Sequence, residues 1–110
     1  MDDIMSKINK FRNDRNWRQF HNEKDLAISI LLEASELLEL FQWKASKEVV
    51  GVKDEELREE IADVLIYTLM LSDNLELNVE EIIEEKLKKN AEKYPVEKSI
   101  NNKSKYNELN

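Results

Sequence analysis

Three observations make this an all-α protein on sequence grounds. A single glycine and a single proline in 110 residues leave too little turn chemistry for a β-sandwich or barrel. Glu, Leu and Lys are the commonest residues, and all three are at home in helices. Apolar residues also recur every three to four positions along four separate stretches. At this length the chain reads as one domain, able to bury roughly 65% of its unfolded surface. Residues 1–96 are expected to carry that domain and residues 97–110 a polar, flexible tail.

The first helix is expected over residues 2–16. Ile4, Ile8 and Phe11 form one stripe, and Asp2 and Asp3 suit its positive end. An aromatic-rich connector without helical period follows, Asn16-Trp17-Arg18-Gln19-Phe20-His21. Asn22 is the expected N-cap of a second helix over residues 23–44. Apolar side chains cover so much of that helix's circumference that it needs more than one partner surface. Residues 44–54 hold the one glycine, Gly51, and connect to a third helix over residues 55–76, with Asp54 as its expected cap. Asn78 followed by Glu81 resembles a capping box and opens a fourth helix over residues 79–93. Its expected buried stripe is Val79, Ile82, Ile83 and Leu87, and Pro95 stops the pattern.

Composition narrows function. A net charge of −7 offers no basic face for a phosphate backbone, so nucleic acid is not an expected partner, although a small phosphorylated ligand bridged by a metal is compatible. With no cysteine there is neither a disulfide framework nor a thiolate site. The N-terminal stretch lacks the apolar core of an export signal, and the longest apolar-rich run, Ile61 to Leu71, is too short for a bilayer and carries Asp63. A cytoplasmic protein without membrane contact is expected.

The chemistry is concentrated in two acidic pairs, Glu33/Glu36 and Glu60/Asp63. Spacing alone carries little weight, because 24 acids in 110 residues give about five i,i+3 acidic pairs by chance. Their surroundings carry more. On a helical wheel Glu33 falls between Leu40 and Leu26, inside the apolar arc, with Glu36 about 60° away at its border. Glu60 falls between Tyr67 and Leu71, and Asp63 between Met70 and Tyr67, so the placement repeats. Residues 25–43 and 59–85 contain no Lys or Arg, so neither helix can neutralise its own acids at i,i+4. A solvated acidic face would also expose Leu26, Leu40, Val64 and Leu71. Carboxylates drawn into an apolar interface need a counter-charge or protons. A hard divalent cation, Mg²⁺ or Mn²⁺, suits an all-oxygen donor set. A di-iron carboxylate bundle would want Glu-x-x-His pairs, and the one histidine, His21, lies outside both motifs.

Three further features are ambiguous by themselves. Lys86, Asn90 and Lys93 stack at i, i+4 and i+7, which is an ordinary amphipathic rim or, beside a metal–carboxylate cluster, a phosphate-binding row. Trp17 and Trp43 are core or interface anchors by default, yet they lie at helix ends where a planar base could stack. His21 alone reads as a structural or surface residue.

Four blocks taken together resemble the MazG-type all-α nucleoside triphosphate pyrophosphohydrolases, in their dCTP pyrophosphatase branch. They are Trp17-x-Gln19-Phe20-His21, the Glu33-x-x-Glu36 pair running into Phe41-Gln42-Trp43, Glu60-x-x-Asp63 running to Tyr67, and Lys86-x-x-x-Asn90-x-x-Lys93-Tyr94-Pro95. The likeness spans residues 4–96. It implies a four-helix, bundle-like protomer that assembles as a homodimer or a dimer of dimers. It implies Mg²⁺-dependent hydrolysis of a (deoxy)nucleoside triphosphate, dCTP-like, to monophosphate and pyrophosphate. Glu33, Glu36, Glu60 and Asp63 would hold the metal, with Glu33 or Glu36 as the catalytic base. Lys86, Asn90, Lys93 and Tyr94 would meet phosphates and sugar, and Trp17, His21 and Trp43 would line the base pocket. One position departs from the pattern: Ile8 stands where the cytosine-preferring enzymes carry a polar residue near the base. The competing readings are the same chemistry with broad or dUTP preference, and a non-catalytic helical oligomer that binds a nucleotide or a protein.

Overall fold

The computed structural model describes residues 1–100, and among these there are helices and turns but no strand. The described residues fall into two compact units, the first Met1–Leu77 and the second beginning at Asn78. The first unit holds α1 (Asp2–Asp14), a 3₁₀ turn (Arg18–Phe20), α2 (Glu23–Glu39), α3 (Ser46–Val49) and α4 (Asp54–Asn74). The second holds α5 (Val79–Lys93) and α6 (Val96–Ser99). Among the described residues no helix is long and apolar enough to cross a membrane.

Helix boundaries follow local chemistry, with instructive shifts from expectation. α1 stops two residues early, where Asn16 takes φ 53°, a left-handed conformation that Asn tolerates better than most residues. Asn22 caps α2 as expected, its Oδ1 accepting from the Asp25 N–H at 2.9 Å. α2 ends at Glu39 rather than residue 44. There the amides of Leu40, Phe41 and Gln42 bond back three residues instead of four, and Trp43 turns the chain at φ 63°. The single-turn α3 was not expected: the Glu48 carboxylate accepts from the Ala45 N–H at 3.0 Å, and Val49 is sealed from solvent. Asp54 does not act as the α4 N-cap. It is the first helical residue, behind Lys53, and its carboxylate accepts from the N–H of Gly51, whose φ of 85° favours glycine. α4 closes at Asn74, with Glu76 at φ 56° beyond it.

α2 packs along α4, and α1 packs on α4 as well. Ile8, Leu26, Val49, Leu69 and Met70 make the buried apolar core, each contributing about 1.5–3 kcal/mol when fully enclosed. One charged side chain joins them, because Arg12 is 0% exposed. The expected stripe of α1 is buried only in part: Ile8 is enclosed, while Ile4 and Phe11 are exposed. Large apolar side chains remain uncovered on α2 and α4, among them Leu31 and Leu38, each 70% exposed, and Leu65.

In the second unit, Asn78 accepts from the Glu81 N–H at 3.0 Å and starts α5 where expected. Ile83 and Leu87, expected in a buried stripe, are exposed, whereas Val79 and Ile82 are half-buried. Beyond Pro95, one turn of helix forms where irregular chain was expected, with Lys98 and Ser99 amides bonding the Pro95 carbonyl. The rest of the expected tail, residues 101–110, lies outside the described residues.

Candidate metal centre

Pairing α2 with α4 brings acids from both helices together. Glu33, Glu36 and Glu60 each offer a carboxylate oxygen within 4.8 Å of the others. Two of these side chains come from one helix face, three residues apart, and the third crosses from α4. Asp63 is not within that trio of oxygens, but it is half-buried and its charge acts on both Glu33 and Glu60.

The electrostatics are those of negative charge held too close together. The Glu33 carboxyl is pushed from its ordinary value of 4.5 up to about 7, first by burial and then by Glu36, Asp63 and Glu60. Burial also raises Glu60, helped by Glu36, Asp63 and Glu59. Glu33 and Glu60 each keep one carboxylate oxygen, Oε2, shut from solvent with no hydrogen-bond partner. A sealed acceptor normally finds a donor, since leaving it unmade costs about 1–3 kcal/mol, more for a charged group. Both atoms therefore fit the ligand oxygens of a divalent cation, and the donor set is hard oxygen throughout. Exposed Glu36 leaves the cluster open to water on one side.

Tyr67, which the helical wheel sets beside Glu60 in the apolar arc, joins this group. Burial, and then the charges of Glu33, Asp63 and Glu36, raise its phenol, so its O–H belongs to the acidic environment. The available signal was its position, one turn beyond Asp63 and two beyond Glu60 on the same face.

A second polar cluster went unnoticed in the sequence. Arg12 donates to Asp73 Oδ2 (3.0 Å), Asn74 Oδ1 (3.2 Å) and Asn9 Oδ1 (2.9 Å). Arg18 reaches the same Asp73 oxygen at 3.2 Å and Asn13 at 2.7 Å. Trp17 meets Phe11 and His21 edge-on, with ring centroids 5.5 and 6.3 Å away. The structure thus brings Trp17 and His21 together. Trp43, by contrast, stands 93% exposed after α2. His21 is half-buried, and its imidazole is held below its ordinary pKa by burial and by Arg12 and Arg18. In the second unit, Lys86, Asn90 and Lys93 share a face of α5, and the Tyr94 N–H closes the helix on the Asn90 carbonyl at 2.8 Å.

Comparison with known proteins gives concordant results. A profile of the MazG-like family matches residues 28–109. dCTP pyrophosphatase 1 of Mus musculus is 32% identical over 114 residues, covering 99% of this chain and 67% of that protein. The Homo sapiens protein of the same name is 33% identical over the same extent. A pyrophosphatase from Archaeoglobus fulgidus superposes with a TM-score of 0.83 and 44% sequence identity, covering 86% of this chain and 92% of that one.

Proposed function

This chain belongs to the MazG-like family, and from that premise we propose that its acidic cluster hydrolyses a nucleoside triphosphate to monophosphate and pyrophosphate. It is a nucleoside triphosphate pyrophosphohydrolase. The observation that carries the site is the convergence of Glu33, Glu36 and Glu60, with two sealed, unpartnered oxygens among them.

A triphosphate near neutral pH carries about four negative charges, so these carboxylates can approach it only across a divalent cation. Glu33, Glu60 and Asp63 are the residues that would hold it, with Glu36 completing the set, and Mg²⁺ is the favoured ion, with Mn²⁺ also compatible. Such an ion supplies polarisation of the α-phosphate, a more acidic water and charge neutralisation for the leaving pyrophosphate. The rest falls to the protein. Water attacks the α-phosphorus, a new P–O bond forms, and the bond to the bridging oxygen breaks with its electrons leaving on pyrophosphate. The water's proton goes to a carboxylate, and of Glu33 and Glu36 the exposed Glu36 is the one open to solvent. By the family resemblance, the phosphates and sugar are assigned to Lys86, Asn90, Lys93 and Tyr94, and the base to Trp17, His21 and Trp43.

A dCTP-like substrate is proposed because the curated relatives are dCTP pyrophosphatases. A homodimer or homotetramer is proposed because uncovered leucines such as Leu31, Leu38 and Leu65 form more apolar surface than a solitary chain this small usually leaves wet. The nucleotide pool it would act on is cytoplasmic. Incubation of the purified protein with each of the eight common (d)NTPs and Mg²⁺ tests the reading. Pyrophosphate and monophosphate should appear, fastest from dCTP. Tight binding with no turnover of any of the eight would leave a non-catalytic nucleotide-binding oligomer instead.

A further inference from the structure

Arg12 has no place in the proposed reaction, yet it is the most deeply enclosed charge described in the protein. Its guanidinium ties α1 to the end of α4 through Asp73 and Asn74. Asn74 then passes the constraint on: with Oδ1 committed to Arg12, its Nδ2 donates to the His21 carbonyl at 2.6 Å. Arg18, inside the same connector, closes the loop by reaching Asp73. One backbone bond runs from the connector back to α1, the Trp17 N–H meeting the Arg12 carbonyl at 2.9 Å, and within the connector the His21 N–H meets the Arg18 carbonyl at 3.1 Å. The Trp17 and His21 rings are therefore oriented by a turn pinned at both ends. At the α1 end the pin is backbone, and at the α4 end it is the Asn74 amide on the His21 carbonyl together with the Arg18–Asp73 pair.

We propose that Asn74, itself set by Arg12, is a positioning residue that fixes the Trp17–His21 turn and thereby tunes how tightly the enzyme holds the nucleobase. This rests on the reading that Trp17 and His21 line the base site. The side-chain hydrogen bonds of Asn74 go to Arg12 and to the His21 carbonyl and not to the acidic cluster, so its influence should fall on substrate binding and leave the chemical step alone. Arg12 pairs with acceptors only, so Asn74→Asp keeps an acceptor facing Arg12, with a charge added, while the donor to the His21 carbonyl is replaced by an oxygen that repels it; Asn74→Ala removes both bonds without adding charge.

The test is steady-state kinetics of Asn74→Asp and of Asn74→Ala, beside Trp17→Ala, with dCTP and dTTP and saturating Mg²⁺. Loss of one part-buried hydrogen bond should raise KM for the preferred nucleotide up to about tenfold, narrow the gap between the two nucleotides, and leave kcat and the Mg²⁺ activation curve unchanged. Trp17→Ala should raise KM too. Should Trp17→Ala raise KM while both Asn74 variants keep wild-type KM, the positioning role is wrong and the base site stands. A Trp17→Ala enzyme with unaltered KM would overturn the base-site reading and this proposal with it. A fall in kcat at constant KM in the folded Asn74 variants would also overturn the proposal.

Discussion

Replacing Glu33 by Gln should make the metal-free protein more stable at neutral pH while removing its response to divalent cations. An acid whose folded pKa lies above its unfolded value binds its proton more tightly in the folded state. Its favourable contribution is complete below about 4.5 and is lost as pH rises through 4.5 to about 7, the interval set by Glu33. Unscreened, that interval corresponds to about 3 kcal/mol. Glu36, which faces Glu33, is exposed, and solvent screening brings the figure to roughly 1 kcal/mol. Gln keeps the size of the side chain, carries no charge and can donate to the acids left behind. In chelator at about pH 8, the variant should melt roughly 4 °C above the parent, with the difference closing near pH 4.5. Saturating Mg²⁺ should then raise the melting temperature of the parent clearly more than that of the variant. Thermal denaturation followed by circular dichroism, with and without Mg²⁺, reads both effects. A variant that melts below the parent in chelator at about pH 8, with the usual Mg²⁺ increment intact, would show that Glu33 is neither crowded by its neighbours nor a ligand.

Other perturbations test the same physics from different sides. Binding of Mg²⁺ at pH 7 should displace protons held by the raised carboxyls, chiefly Glu33, and the displacement should fade by about pH 9; calorimetry in buffers of different ionisation enthalpy measures it. Asp63→Asn should reduce pyrophosphate release to background with helix content retained, and full Mg²⁺-dependent activity in that variant would remove Asp63 from the site. Asp73→Ala should cost about 3 kcal/mol in urea denaturation, because Arg12 would keep a buried charge with only neutral partners; a cost below about 1 kcal/mol would show the pair to be solvated in practice. Lys86→Ala should raise KM for every triphosphate alike, with no change in base preference, if α5 meets phosphate.

What the sequence made legible was governed by short-range rules. Asn22 and Asn78 were readable as caps because the bond each makes spans three residues. Glu33, Glu36 and Glu60 stood out because the stretches that hold them, residues 25–43 and 59–85, contain no Lys or Arg, a property visible in one dimension. The misplaced boundaries have equally local causes that composition hides. Trp43 and Glu76 adopt positive φ without being glycine, and Asp54 bonds backwards to Gly51 rather than forwards into α4. The exposure of Ile83, Leu87 and Trp43 in the single chain could not be read either, since a helical wheel ranks faces but does not say which of them find a partner.

Asp73 shows how far the rule that singled out the acids can be trusted. It too lies in the 59–85 stretch without Lys or Arg, so local bookkeeping would place it beside Glu60 and Asp63 as an acid in want of a cation. Folding supplies it with two, Arg12 and Arg18, from 61 and 55 residues away. Absence of a cation at i,i+4 therefore marks an acid that needs a partner from elsewhere, without saying whether folding supplies one. The discriminating observation is three-dimensional. Asp73 ends among donors, whereas Glu33 and Glu60 each keep an oxygen that is sealed from water and bonded to nothing, within reach of each other and of Glu36. Helix α4 thus carries acids of both kinds, Asp73 paired at its C-terminal end with arginines of the same chain, and Glu60 along its middle with an oxygen that no group of the chain meets.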